Sequence, residues 1–122
     1  MRIAVPVDRK DINANIFEHF GRAPYYCIIT IENREVKNIE FYPNPAIEDH
    51  APGDVPSFLA SKKVDTLITM GIGRRAKYFF DQLNITVITG ASGKVTEIIK
   101  KFLEGELKSI PYEPERKWHD MH

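Results

Sequence analysis

The sequence predicts a three-layer α/β/α domain built on a five-stranded mixed sheet. After Asp54, short stretches rich in β-branched residues alternate with helical patterns, which is typical of parallel strands joined by helices. Before that point, two strand-like stretches are separated by only a short polar turn, which predicts an antiparallel hairpin. The length of 122 residues fits one domain, and a hydrophobic fraction of 43% is sufficient for a core.

The first half of the chain predicts three strands. Residues 3–7 form a β-branched stretch, although Pro6 argues against a central position because it cannot donate a ladder hydrogen bond. Asn15 is predicted to cap a short helical turn. Residues 25–31 and 36–42 form the hairpin, which reverses at Asn33-Arg34, and the proline-rich stretch after it predicts a loop.

The second half predicts alternating helices and strands. Helices are expected over 54–63, after Gly73 and after Ser92, which is a candidate cap for a helix that ends at Gly105. Strands are expected over 64–69 and 85–89. The helix after Gly73 has one apolar face, made of Ala76, Phe79, Phe80 and Leu83. We expect residues 1–108 to form the domain and residues 109–122 to be an extension.

Composition limits the classes of function and the compartment. Lys+Arg and Asp+Glu both number 17, so the basic excess of a nonspecific nucleic-acid binder is missing. Cys27 is the single cysteine, which excludes an internal disulfide and suits a reducing compartment. The sequence shows neither a signal-peptide pattern nor an apolar stretch of membrane-spanning length. We therefore expect a cytoplasmic protein without a membrane partner.

A ligand site is expected where the parallel strands end. In an open α/β sheet, ligands bind at the carboxyl ends of the strands, where loops 8–22, 70–75 and 90–94 are predicted to meet. Two of these loops are glycine-rich turns that open helices, whose N–H groups and dipole attract anions. Three arginines could add charge-assisted contacts: Arg22, Arg74 and Arg75.

Each of these features has a purely structural alternative. The glycines of 71–73 could simply permit a tight strand-to-helix turn, and they match neither a phosphate-binding loop nor a dinucleotide fingerprint. Arg74 and Arg75 could be solvated residues of a first helical turn, and Arg22 could pair with a carboxylate. His19 lies between phenylalanines, so a hydrogen-bonded structural histidine is equally compatible with the sequence.

Catalytic patterns are weak in this sequence. No serine or cysteine nucleophile lies in a recognisable motif. Asp8 and Asp65 are predicted at opposite ends of the sheet, where they could not hold one metal pair. No pair of His or Cys residues has the spacing of a structural zinc site, and Cys27 is expected to be a buried small apolar residue. We therefore expect a protein that is not an enzyme.

Four segments resemble the nitrogenase iron–molybdenum cofactor biosynthesis family. The resemblance extends from Met1 to about Leu107 and is most specific where a His-Phe-Gly-Arg segment precedes a Gly-x-Gly segment. The matching segments are 3–8 (IAVPVD), 19–25 (HFGRAPY), 71–76 (GIGRRA) and 102–107 (FLEGEL).

The resemblance implies a ribonuclease-H-like fold without nuclease activity and a role as a nitrogenase accessory protein that carries a metal–sulfur cluster. It also implies that the strand with Pro6 can be central, and that His19 is the candidate metal ligand. The residues expected to bind the cluster are His19, Gly21, Arg22, Gly71, Gly73, Arg74 and Arg75. Cluster donor and acceptor proteins are the expected partners, and a homo-oligomer is left open. A phosphate- or nucleotide-binding regulatory module is the main alternative; a hydrolase or an interaction domain without a small ligand is less favoured.

Overall fold

The computed structural model describes residues 1–45 and 53–105 of the chain. These residues form a five-stranded mixed sheet with three helices. In chain order the elements are β1 (Arg2–Val7), a 3-10 turn (Phe20–Arg22), β2 (Tyr25–Glu32), β3 (Glu35–Pro43), α1 (Asp54–Ser61), β4 (Thr66–Ile68), α2 (Arg74–Gln82), β5 (Thr86–Ile88) and α3 (Val95–Leu103).

The sheet has the order β3-β2-β1-β4-β5, which confirms the predicted mixed topology. β2 pairs antiparallel with both β1 and β3, whereas β1, β4 and β5 are parallel. The hairpin reverses at Asn33 and Arg34, whose φ angles of 53° and 63° are both positive. Positive φ at both central residues is the geometry of a type I′ turn, which matches the twist of the paired strands.

β1 is the central strand despite Pro6. Pro6 lies opposite Tyr26 of β2, while the pairing of β1 with β4 covers only Ile3 and Ala4. Because β4 has no partner residue opposite Pro6, no ladder hydrogen bond to β4 is required there. The objection raised by proline in the sequence therefore does not hold, as the family resemblance implied.

Helices cover both faces of the sheet. α3 packs on one face, over a core whose main members are Ile3, Val5, Val7, Cys27, Ile29, Val95 and Ile98. α1 and α2 pack on the other face of the sheet. The core there includes Ala4, Tyr26, Ile28, Val55, Leu59, Leu67 and Phe80. Alternate residues of β1 and β2 contribute to opposite cores, as expected for strands buried on both faces.

Three local predictions are wrong. Residues 15–17 are extended rather than helical, because Phe17 N–H donates to Pro6 O at 2.8 Å and Ile16 pairs with Val7. α3 begins at Val95 rather than after Ser92; Glu97 Oε1 accepts a 3.0 Å hydrogen bond from Lys94 N–H and caps the helix there. Leu83 was predicted to belong to the apolar face of α2, but it follows the last residue of that helix and is 39% exposed.

Cys27 is fully buried, as predicted, and burial raises the pKa of its thiol to about 12. The thiol is therefore neutral at physiological pH. In the unfolded chain the same group ionises near pH 9.0. Since the unfolded state then binds fewer protons than the folded state, the free energy of unfolding falls as pH rises.

We expect Cys27→Ala to flatten this alkaline loss of stability. For the wild-type protein, Cys27 should contribute a loss of up to about 1.4 kcal/mol per pH unit above the unfolded pKa. Urea unfolding between pH 9.0 and about 12 for both proteins measures the difference in slope. Equal slopes would show that the thiol already ionises in the folded protein.

The predicted extension 109–122 lies outside the described residues, as do residues 46–52 of the proline-rich stretch that was predicted to be a loop. None of the helices in residues 1–45 and 53–105 is long and apolar enough to cross a membrane.

Candidate functional site

The candidate site lies at the carboxyl ends of β1, β4 and β5. These strands are parallel, so the segments that follow them emerge at the same edge of the sheet. β4 continues through residues 69–73 into α2, and β5 continues through residues 89–94 into α3. Residues 8–19, which connect β1 to the 3-10 turn, also lie at this edge, where Asn15 pairs with Lys94 and His19 pairs with Gly71. Loops distant in sequence therefore become neighbours.

His19 and Gly71 are directly paired through their backbones as an isolated parallel bridge. Arg22 N–H donates to His19 O at 3.0 Å and closes the 3-10 turn, while the side chains of His19 and Arg22 are both exposed. On the other side, the buried hydroxyl of Thr69 donates to Gly71 O at 3.3 Å. The structure thus brings together the His-Phe-Gly-Arg and Gly-x-Gly segments, with a hydrogen-bonded backbone and with the side chains of His19 and Arg22 exposed.

The loop 90–94 is connected to both of the other loops. Gly90 N–H donates to Met70 O at 2.9 Å, which joins the loop to the end of β4. Ile16 N–H donates to Gly93 O at 2.9 Å, and Asn15 forms an isolated bridge with Lys94. The φ angles of Gly90 (84°) and Gly93 (96°) are positive, so glycine is required by the conformation at these two positions.

Gly73 is the N-cap residue of α2, and no side chain caps the helix. Its φ of −75° and ψ of 159° are accessible to any residue, so the turn does not require glycine there. A Cβ at Gly73 would meet no atom within 4 Å. The N–H groups of the first helical turn are therefore open to an approaching anion.

Arg74 and Arg75 follow Gly73 in the first turn of α2, where the helix has no acidic residue. Both are exposed, and neither forms an ion pair with the described part of the chain. With Tyr78 and Phe79 they line an open groove of about 620 Å³, called here the α2 groove. Among the described residues that line this groove, Arg74 and Arg75 were predicted to belong to the site, whereas His19 is not part of the lining.

The segment around Gly21 is held by two residues that sequence reasoning missed. Tyr26 Oη donates to Phe20 O at 2.7 Å, and burial raises the pKa of Tyr26, which keeps this hydroxyl protonated. Asn44 Nδ2 donates to Gly21 O at 3.1 Å and to Ala23 O at 2.9 Å. Asn44 follows Gly21 by 23 residues, and no local pattern in the sequence indicates this contact.

Direct metal ligands are sparse in the site. Across residues 1–45 and 53–105, no group of three His, Cys, Asp or Glu residues could hold a metal ion. Cys27 belongs to the core beneath α3 and is completely buried. A metal-containing ligand would therefore have His19 as its one predicted donor and would depend otherwise on N–H groups and guanidinium groups.

These features define a small α/β domain with an anion-attracting, glycine-rich edge. The sequence matches the model of the family described as "Dinitrogenase iron-molybdenum cofactor" over residues 1–105. The chain belongs to this family, which is associated with the biosynthesis or binding of that cofactor.

Relatives and solved structures agree with the assignment. An uncharacterized protein of Methanocaldococcus jannaschii is 38% identical over 112 residues, which are 90% of this chain and 92% of that protein. The crystal structure of PH0822 is similar, with a TM-score of 0.82 and 39% sequence identity. The match covers 90% of this chain and 96% of the PH0822 chain. The apo form of the orange protein from Desulfovibrio gigas has a TM-score of 0.77 at 22% identity, with coverage of 89% and 92%, and shows the shared fold.

Proposed function

We propose that this protein binds and carries an anionic metal–sulfur cluster, of the iron–molybdenum type or related to it, without catalysing a reaction. The observation that carries the proposal is the backbone pairing of His19 with Gly71, two residues before the uncapped N-terminus of α2. Family membership connects this edge of the sheet with the handling of such a cofactor.

The chemistry of the site suits a bulky polyanion. Metal–sulfide clusters carry negative charge on many sulfur atoms, which accept hydrogen bonds from N–H groups and guanidinium groups. The open space beside Gly73 permits a large ligand to approach the helix terminus. His19 supplies an imidazole nitrogen, a donor that binds iron and other transition metals.

A sparse set of ligands also suits a carrier. A resident cofactor is commonly fixed by several cysteine or histidine side chains, whereas the described residues offer no such group. With one coordinate bond and several charge-assisted hydrogen bonds, the cargo can leave without breaking a full coordination shell. Cluster donor and acceptor proteins are part of this proposal, as are the ribonuclease-H-like topology and the domain boundary at residue 108.

Anaerobic reconstitution with iron, molybdate and sulfide, followed by metal analysis, tests the proposal. We expect the protein to take up metal and sulfide and to show visible absorption. A colourless protein that takes up no cluster but is thermally stabilised by nucleotides would contradict it. That result would favour a phosphate-binding module at the same glycine-rich turns.

His19→Ala is expected to weaken the cluster complex by a factor that salt barely changes. The lost interaction is a coordinate bond, which is not screened as exposed charges are. The visible spectrum of the remaining complex should also shift, because a metal loses a nitrogen ligand. Arg22→Ala serves as the control, with a salt-dependent loss and an unchanged spectrum. The same spectrum for wild type and His19→Ala would remove His19 as a ligand.

Gly73→Ala is expected to weaken cluster binding while the fold is retained. The free energy of unfolding should change by no more than about 1 kcal/mol, because the position has an extended backbone and open space. The added methyl group would, however, stand where the cargo approaches the helix terminus. Chemical denaturation and titration with reconstituted cluster separate the two effects. Undiminished binding would show that the cargo does not approach α2 at Gly73.

A further inference from the structure

The α2 groove has a composition that the proposed cluster site does not explain. Tyr78 is 58% exposed, the highest exposure among the large apolar residues of the described chain. Its ring lies against Phe79 with centroids 5.6 Å apart at 77°, an edge-to-face arrangement. An aromatic pair brings no positive charge to a polyanion, yet it lines the same groove as Arg74 and Arg75.

The aromatic pair is held in place from below. Phe80 anchors α2 in the core and is completely buried. Phe79 packs against Gly53 at the start of α1, where a Cβ would lie 3.4 Å from the ring. Because the backbone and Phe79 are fixed by these contacts, the groove is largely formed before anything binds, which lowers the entropic cost of binding.

Within the described residues, no ion pair compensates the positive charge of the groove. On the same helix, Lys77 Nζ pairs with Asp81 Oδ1 at 2.6 Å, so these two charges neutralise each other. Arg74 and Arg75 have no ion pair within residues 1–45 and 53–105. An occupant with carboxylates beside an apolar anchor would complement both parts of the groove.

The openness of the groove favours an extended chain over a small molecule. A specific small-molecule site buries about 70–90% of its ligand. The groove is open, and Tyr78, one of its lining residues, is more than half exposed. A peptide segment that lies along the helix gains its contacts over a longer surface and does not need such enclosure.

A second copy of this chain is a poor occupant in the usual symmetric arrangement. A two-fold contact would place the same patch of each copy against itself. Arg74 and Arg75 of both copies would then lie in one interface, and these four like charges would repel.

We propose that the α2 groove, lined by Arg74, Arg75, Tyr78 and Phe79, is a docking surface for an acidic segment of a partner protein that carries one large apolar side chain. In this arrangement Tyr78 and Phe79 contact the apolar side chain, and the arginines bind the flanking carboxylates. This proposal does not rest on the proposed function, but Arg74 and Arg75 belong to both sites, so a bound cluster and the acidic segment would compete for these two side chains.

Selection from a library of short random peptides on the immobilised wild-type protein tests this proposal. Enriched peptides should contain an excess of Asp and Glu around one aromatic or large aliphatic residue, and their affinity should fall with added salt. Fluorescence anisotropy should show binding at least about tenfold weaker to Tyr78→Ala, since exposed aromatic anchors dominate such interfaces. Val36→Ala is the matched control, because Val36 is a 37% exposed apolar residue on β3.

Several outcomes would overturn the proposal. Failure to enrich any peptide, enrichment of neutral or basic peptides, or equal affinity for wild type and Tyr78→Ala would each do so. Self-association in sedimentation experiments that disappears in Tyr78→Ala would identify a second copy as the occupant instead. Tyr78→Ala should still take up cluster on reconstitution, so a failure of docking and a failure of the proposed function are distinguishable.

Discussion

Replacing Arg74 and Arg75 together by alanine is expected to weaken cluster binding roughly thirtyfold at low salt. Each buried charge-assisted hydrogen bond contributes about 1.5–3 kcal/mol, which is one to two decades in affinity. Both side chains are exposed at the start of α2, where water and salt screen them, so each contributes less than that range, about 1 kcal/mol.

The salt dependence of this loss identifies its cause. At high salt the wild-type protein should bind more weakly, and the difference between it and the double variant should shrink. Lys100→Ala with Lys101→Ala is the matched control, because it removes two exposed charges from α3. An equal loss in this control would mean that the overall charge of the protein, rather than the first turn of α2, retains the cluster.

The parts of the fold that were predicted correctly follow from local patterns. The hairpin follows from two β-rich stretches around Asn33 and Arg34, which adopt the positive φ angles of the turn. The parallel order of β1, β4 and β5 follows from helices placed between strands, which require crossovers of one hand. Strand ends in such a sheet share an edge, and this is why the meeting of the three loops could be expected.

The errors arise where tertiary contacts override local preference. Asn15 and Ile16 have neighbours typical of a helix start, yet their backbone groups bond to the loop before α3, nearly 80 residues further along the chain. Tyr26 on β2 and Asn44, which follows the last residue of β3, hold the turn that comes after His19. Hydrogen bonds of this kind join positions that no single-sequence period relates, so the sequence alone could not indicate them.

Phe80 links the stability of the fold to the geometry of the site. Its ring lies 5.4 Å from that of Phe20 at 70°, and Phe20 in turn lies 5.5 Å from Tyr26. Phe20 is the first residue of the 3-10 turn that follows His19, while Phe80 itself belongs to α2. One aromatic cluster therefore positions the helix that carries Arg74 and Arg75 together with the turn that carries Arg22.

Phe80→Ala is expected to lower the free energy of unfolding by about 3–5 kcal/mol, because it leaves a cavity at a completely buried position. Tyr78→Ala, two residues away on the exposed side of α2, should change it by only about 0.5 kcal/mol. Urea denaturation of the two variants measures both values. Under conditions where Phe80→Ala stays folded, it should also bind cluster more weakly, since α2 and the His19 turn lose their common anchor. A loss of stability no larger than that of Tyr78→Ala would show that the ring cluster does not hold the two loops together.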